Sequence, residues 1–323
     1  MIFLSICIPT YNRDSYLKNT IESILKSESF NSGEVEIVVS DNASTDKTEK
    51  VVAYYVGKYD NIMYVRNNSN IGVNENSFNA LSYGKGLYKK LTNDTYVFFP
   101  DGIDFMVDVI KRERGVKRAI FFTNRNNDAH RETEIVKSID ELMQNVSFDI
   151  TSAHYHGIWK SEIKKIAKLN VTDFFFILPF EFEKLLEDKA AVVINKPLFF
   201  LQTIKKNKDV SYGVFDVFYN RLFNIYRSYV NRGLMSTDVF DFLEKDILFN
   251  YFLPKYLLAP KKMFFGLNKN DFKENVFLVY SGKQYFSEFL RVLKINKIRQ
   301  IIQSFFYVEK MLKKSLKKLV ASS

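Results

Sequence analysis

Three apolar runs in the first hundred residues end abruptly in small, polar or acidic side chains. Phe3 to Ile8 runs into Pro9-Thr10-Tyr11-Asn12-Arg13, Val35 to Val39 into Ser40-Asp41-Asn42, and Tyr96 to Phe99 into Pro100-Asp101-Gly102-Ile103-Asp104. Mainly apolar runs of this length read as strands buried on both faces of a parallel sheet. Their polar ends then line the crevice where open α/β sheets bind ligands. Between the first two runs, Tyr16/Leu17, Thr20/Ile21 and Ile24/Leu25 recur at helical spacing after Asp14 and Ser15, which are suited to cap the start. After Asp41, the pair Asp46 and Glu49 has the spacing of a capping box, and Val51, Val52 and Tyr55 supply an apolar face. Short strands are expected at Asn61 to Val65 and Ala119 to Phe122. The alternation predicts an α/β fold with a mostly parallel central sheet.

Composition narrows the classes. The chain has 323 residues, 46% hydrophobic and 26% charged, which fits a globular protein rather than a disordered or wholly membrane-embedded one. The 31 Phe and 19 Tyr stand against a single Trp, Trp159, and this aromatic content is expected to serve core packing. Cys7 is the only cysteine, which excludes an intramolecular disulfide and a cysteine-rich metal site and fits a reducing compartment. Pro9 breaks the first apolar run and no basic residue precedes it, so neither a secretory leader nor a membrane span is expected. The net charge of +10 is concentrated at the end: from Lys294 onward there are eight Lys or Arg residues against Glu309. Ile295, Ile298, Ile301, Phe305, Val308, Leu312, Leu316 and Leu319 recur there near helical spacing. A basic amphipathic helix of this kind suits an anionic membrane surface, or packing on the protein itself or a second subunit.

Leu4 to Arg13, Val38-Val-Ser-Asp-Asn-Ala-Ser-Thr-Asp46 and Asn70-Ile-Gly72, taken in order, resemble the N-terminal half of the inverting GT-A glycosyltransferases of family 2. The likeness is strongest over residues 1–105, loosens to about residue 202 and fades beyond. It implies a GT-A domain that binds a nucleotide-sugar donor, with a uracil or thymine base, and passes the sugar with inversion to a hydroxyl. By that resemblance Pro9, Thr10 and Tyr11 would lie against the base and Arg13 against a phosphate or ribose. Asp41 would accept a hydrogen bond from the imide nitrogen of the base, a task for an acceptor-only side chain, although an aspartate there can also simply form the strand-end turn. Asn70 and Gly72 would shape the loop near the donor.

The resemblance also implies an acidic cluster holding Mn²⁺ or Mg²⁺ against the departing diphosphate. The strand end at 100–104 supplies Asp101 and Asp104, but Ile103 stands where a central carboxylate is usual, so a metal-independent site with Lys or Arg taking over the charge is the alternative. Val171-Thr-Asp-Phe-Phe176 occupies the place of the family's acidic pair. Asp173 aligns with the general base on the acceptor hydroxyl, Thr172 replaces the usual first acid, and Glu181 is the second candidate base. Asp173 could equally cap the helix that follows. His154 and His156, read as alternating on a strand, are candidates to contact the diphosphate, the metal or the acceptor.

The polar run Lys205 to Asp209 suggests a boundary, giving a GT-A domain over 1–204 and a mainly helical region with the basic tail over 205–323. The function expected is a glycosyltransferase on the cytoplasmic face of a membrane, extending a capsule, lipopolysaccharide or lipid-linked glycan, with a homo-oligomer open. Its partners would be a nucleotide-sugar donor and a glycan or lipid-linked acceptor. The altered acidic motif leaves room for an inactive nucleotide- or glycan-binding homologue. Nucleic-acid binding through the tail comes last, because no nucleic-acid module is visible.

Overall fold

The computed structural model describes residues 1–124, 131–169, 175–202, 215–254 and 269–295. Its centre is a five-stranded sheet in the order β3-β2-β1-β4-β8, built from β1 (Leu4–Thr10), β2 (Val35–Asp41), β3 (Ile62–Arg66), β4 (Tyr88–Leu91) and β8 (Gly157–Trp159). The first four strands run parallel and β8 is antiparallel to β4. Leu4, Ile6, Ile8, Val35, Ile37 and Val39 are fully buried, as expected of strands covered on both faces by the helices α1 (Asp14–Ile24), α3 (Thr48–Val56) and α4 (Val73–Tyr83). The chain builds outward from β1 through β2 to β3, then crosses back to place β4 on the other side of β1. The reversal leaves a crevice above the carboxyl ends of β1 and β4.

Three expectations need correction here. The run at Tyr96 to Phe99 is not a parallel strand of the central sheet: β5 (Tyr96–Phe98) pairs antiparallel with β10 (Phe199–Leu201) in a separate ribbon. The fourth parallel strand is instead Tyr-Lys-Lys-Leu, residues 88–91, concealed in the sequence by Lys89 and Lys90, both buried. Ala119 to Phe122 does form a strand, β6, but in a three-stranded sheet ordered β6-β9-β7, with β9 (Ala191–Ile194) and β7 (Thr133–Val136). The expected capping box also takes another form. Asp46 accepts the amide N–H of Thr48 at 2.9 Å and that of Asp14 at 3.1 Å, tying the starts of α1 and α3 together.

A buried side-chain hydrogen-bond network sets the start of β4. The Glu36 carboxylate on β2 accepts the Ser5 hydroxyl at 2.5 Å, the Gly86 amide at 3.1 Å and the Lys85 amide. Gly86 lies so close to β1 that a Cβ there would come within 2.7 Å of the Ser5 nitrogen. Truncating Glu36 to Ala strands the buried Ser5 hydroxyl and the Lys85 amide, while the Gly86 amide keeps Ser5 Oγ at 2.8 Å, so Glu36→Ala is expected to cost about 3 kcal/mol in urea unfolding. Unchanged stability would show that water replaces the carboxylate.

Beyond β4 come α5 (Pro100–Glu113), α6 (Ile139–Val146), a 3-10 turn at Ala153–Tyr155, α7 (Ile163–Ile166) and α8 (Ile177–Asp188). Trp159 belongs to the core, 1% exposed, with its indole N–H donated to the Arg118 carbonyl at 2.7 Å. The chain separates into two compact units, one of Met1–Asn207 with Arg221–Phe240, the other of Lys208–Asn220 with Asp241–Ser323. In the first, α9 (Leu222–Asn231) meets α8 where Glu183 accepts the Tyr229 hydroxyl at 2.9 Å. The second is helical where described and aromatic inside: Phe215 stacks on Phe252 at 5.3 Å, and the buried Glu244 accepts the Tyr219 hydroxyl and pairs with Lys283. Among the described residues no helix is long and apolar enough to cross a membrane. The basic tail beyond Ile295 lies outside the described residues.

Candidate active site

The polar strand ends converge above the crevice. β1 ends in Thr10, whose buried hydroxyl donates to Asp94 Oδ2 at 2.8 Å, and Asp94 follows β4 closely. Arg13 comes within 3.9 Å of Asp94 Oδ1, while its buried Nη1 makes no hydrogen bond among the described residues. The Arg13 side chain as a whole is 19% exposed, so another part of the guanidinium stays open to an anion. Pro9 remains within β1, and Tyr11, 44% exposed, is the open face of the loop.

Asp41, at the end of β2, is wholly buried. Its Oδ1 accepts the Ser44 amide at 2.9 Å and its Oδ2 the Tyr64 hydroxyl at 2.7 Å, with Arg66 Nη1 at 3.5 Å. Tyr64 and Arg66 lie two apart on β3 and therefore share a face, and both reach the same carboxylate. Neither was singled out from the sequence, although that spacing beside β2 was the available signal. Arg66 also donates to the Ser44 carbonyl at 3.0 Å, closing the Asp41–Ser44 turn. Inside that turn Ala43 has φ +62°, and Asn12 in the neighbouring loop has φ +52°, left-handed conformations that cost non-glycine residues energy and gather at ligand-binding loops. Asn12 holds the loops together by accepting the Thr45 amide at 2.7 Å, while its own amide donates to Ser44 Oγ at 2.9 Å.

Asn42 links β2 to the loop before α4. It donates to Asn70 Oδ1 at 2.8 Å and to the Gly72 carbonyl at 3.1 Å, and accepts the Ile71 amide at 2.9 Å. Gly72 has φ +97°, and a Cβ there would meet Glu75 Oε2 at 2.7 Å, so the position requires glycine. Pro9, Thr10, Arg13, Asp41, Asn70 and Gly72 are thus drawn into one connected rim.

Asp101 and Asp104 are not brought together. Asp104, on α5, accepts the Ser29 amide at 2.8 Å and the Glu28 amide at 3.3 Å at the start of the short helix α2 (Glu28–Asn31). Asp101 is exposed and ion-paired with Lys196 at 3.6 Å. The physical reason is the strand correction above: residues 100–104 open a helix after the ribbon strand β5, whereas the residues that follow the parallel strand β4 are Thr92-Asn93-Asp94. Asp94 is the carboxylate that sequence reasoning missed, because Lys89 and Lys90 disguised the strand before it. Among the described residues no three His, Cys, Asp or Glu side chains cluster as a metal site.

His154 and His156 do not alternate on a strand. His154 sits in the 3-10 turn, its ring packed 4.7 Å from that of Tyr96 and 4.9 Å from that of Phe199. Burial, with Lys90 and His156 adding to it, pushes it down to about 2, so it is neutral. His156 precedes β8, and its Nδ1 lies 2.6 Å from Glu181 Oε2 on α8. Burial raises the Glu181 carboxyl against the opposing pull of His156. Lys90 is fully buried, donates to the His154 carbonyl, and lies 4.5 Å from the centre of the Phe122 ring. Burial pushes its ammonium down to about 7, opposed by Glu181. Asp173, with Thr172, lies outside the described residues.

The parallel sheet with its reversal above β1, and the helical C-terminal region, constitute a GT-A-like fold. Solved structures agree. The Staphylococcus aureus protein TarS (residues 1–349) in complex with UDP-GlcNAc superposes with a TM-score of 0.58 over 81% of this chain and 77% of that one, at 18% identity. The mannosyltransferase PcManGT from Pyrobaculum calidifontis, in complex with GDP-Man and Mn²⁺, gives 0.52 over 92% and 86%, at 12% identity. The family model for glycosyl transferase family 2 matches residues 5–169, and the chain belongs to that family. Abequosyltransferase RfbV of Salmonella typhimurium is 35% identical over 121 residues, 35% of this chain and 36% of that protein. The poly(ribitol-phosphate) beta-N-acetylglucosaminyltransferase TarS of Staphylococcus aureus is 29% identical over 130 residues, 40% and 20% respectively. The matches span about a third or less of the length of these curated relatives.

Proposed function

We propose that the protein transfers a sugar from a nucleoside-diphosphate donor, a UDP-sugar for preference, to a hydroxyl of a growing cell-surface glycan, with inversion at the anomeric carbon. The observation that carries this reading is the pairing of a buried, fully anchored carboxylate at the end of β2, Asp41, with an under-partnered guanidinium at the end of β1, Arg13. One offers an acceptor to the imide N–H of a base; the other offers a donor to a diphosphate. Thr10, Tyr11 and the Asn70 to Gly72 loop enclose the nucleotide between them. Family membership supports the transfer, and the poly(ribitol-phosphate) acceptor of one relative, TarS, supports a polymeric acceptor. A cytoplasmic protein, peripheral on the membrane, is the setting in which such donors and lipid-linked acceptors meet.

The metal does not fit the residues first expected to hold it, since Asp101 and Asp104 are engaged elsewhere. Asp94 is one carboxylate already bonded to Thr10 and close to Arg13. No step is therefore assigned to a metal, and Arg13 takes the diphosphate charge. Titrating UDP, dTDP and GDP into the protein, with Mn²⁺ and then with chelator, tests both points. Metal-indifferent binding of UDP is expected; the absence of binding to any of the three would overturn the donor site, and a strict Mn²⁺ requirement would overturn the role given to Arg13.

A further inference from the structure

The main chain of His156 joins the end of β4, where its carbonyl accepts the Leu91 amide at 3.2 Å, just before Thr92-Asn93-Asp94. Because β8 runs antiparallel to β4, the residue that precedes β8 lies at the carboxyl-end edge of the sheet. His156 therefore stands on the same rim as Thr10 and Asp41, beyond Asp94. Behind it, Glu181 is 1% exposed and has a single hydrogen-bonded side-chain partner among the described residues, the His156 ring. Its other oxygen, Oε1, is buried without one. A carboxylate shut away like this has no direct route to a substrate hydroxyl. The imidazole in front of it has: 9% of the His156 side chain remains exposed, and only Nδ1 is taken up by the protein among the described residues.

We propose that His156 is the catalytic base of the transfer and that Glu181 is its positioning residue, an inference that rests on the donor-site reading above. Glu181 accepts a hydrogen bond from Nδ1–H, which fixes the tautomer and leaves the lone pair on Nε2. This is the division of labour between carboxylate and imidazole in hydrolytic triads. In the step itself, the acceptor hydroxyl gives its proton to Nε2 as its oxygen bonds to the anomeric carbon. The bond from that carbon to the diphosphate oxygen breaks, and its electron pair leaves with the nucleoside diphosphate. The products are the glycoside, the nucleoside diphosphate and an imidazolium stabilised by Glu181, which later returns its proton to solvent. Lys90 and His154 are the other titratable groups at this spot. His154 is enclosed among Tyr96, Tyr155 and Phe199, and Lys90 spends its ammonium on the His154 carbonyl, so neither competes for the substrate proton.

The test uses the full chain, labelled with ¹⁵N-histidine, and nucleoside diphosphate release from UDP-GlcNAc with water as acceptor. The sequence holds three histidines, His130, His154 and His156, so His156→Asn assigns the His156 signal by its loss. In the wild type, His156 is expected as the Nδ1–H tautomer, and Glu181→Met is expected to abolish that preference. His156→Asn is expected to lower kcat by about 10²- to 10⁴-fold, the usual contribution of a general base, with the Kd for UDP changed less than about threefold. Added imidazole should restore part of the activity of His156→Ala, which a merely structural histidine would not allow. An Nε2–H tautomer in the wild type overturns the proposal whether or not UDP-GlcNAc is turned over, as does turnover by His156→Asn close to the wild-type rate. Loss of turnover in Asp173→Asn with His156→Asn unaffected would give the role to Asp173. Failure of the wild type to bind UDP is a separate result, which removes the donor site beneath this proposal.

Discussion

Asp41→Ala should weaken UDP binding at least tenfold while leaving the fold intact. Charge-assisted hydrogen bonds contribute about 1.5–3 kcal/mol, which corresponds to roughly 10- to 150-fold in Kd. The structure suggests the upper part of that range, because the Asp41 carboxylate is held from both sides, by the Ser44 amide and by Tyr64 with Arg66. An acceptor fixed in this way loses little freedom when the base arrives. Removing it also leaves Arg66 without its buried partner, so far-UV circular dichroism and the midpoint of urea unfolding should accompany the titration. Tyr64→Phe keeps the carboxylate but releases one oxygen, and a smaller loss, about threefold, is expected from it. Calorimetry that found equal affinity in wild type and Asp41→Ala would take Asp41 out of the site.

The second large effect concerns Asp94. Asp94→Ala should weaken UDP binding by about tenfold, and the double variant Asp94→Ala/Arg13→Ala should be no worse than Arg13→Ala alone. The reasoning is that Asp94 acts through Arg13: the carboxylate holds Nη1 of the guanidinium within 3.9 Å and so orients the side chain, 19% of which remains exposed to meet the diphosphate. Two groups that work as a unit give strongly non-additive losses in a double-mutant cycle. Fully additive losses would show that Asp94 meets the ligand independently. Loss of the Thr10 hydrogen bond adds a stability cost on the order of 1–3 kcal/mol, so the cycle belongs well below the unfolding temperature.

The sequence alone determined much of this protein. Leu4–Thr10 and Val35–Asp41 are mainly apolar up to their polar ends, as strands buried on both faces require, and the two polar residues inside them, Ser5 and Glu36, satisfy one another. Their order, with helices between, dictated the parallel sheet, and the polar residues that end them could only sit at its carboxyl edge. The places of Asp41 at the end of β2, Arg13 just before α1 and Gly72 just before α4 were therefore legible in the sequence. The basic tail was equally legible as a pattern, and the helical character of the C-terminal half followed from its spacing.

Tertiary structure decided the rest, and the reason lies mainly in burial that local pattern does not reveal. Lys89 and Lys90 read as a polar interruption, yet their backbone pairs with β1 and their side chains are buried. Lys90 ends on a main-chain carbonyl beside aromatic rings. A strand held by backbone hydrogen bonds on both sides can carry such residues when the fold supplies partners for them. Missing that strand moved the expected acidic strand end from Asp94 to Asp101 and Asp104. The pairing of His156 with Glu181 could not be read at all, since 25 residues separate them and no periodicity connects a turn before β8 with the face of α8. Only the tertiary packing of that helix brings the Glu181 carboxylate within 2.6 Å of the His156 ring.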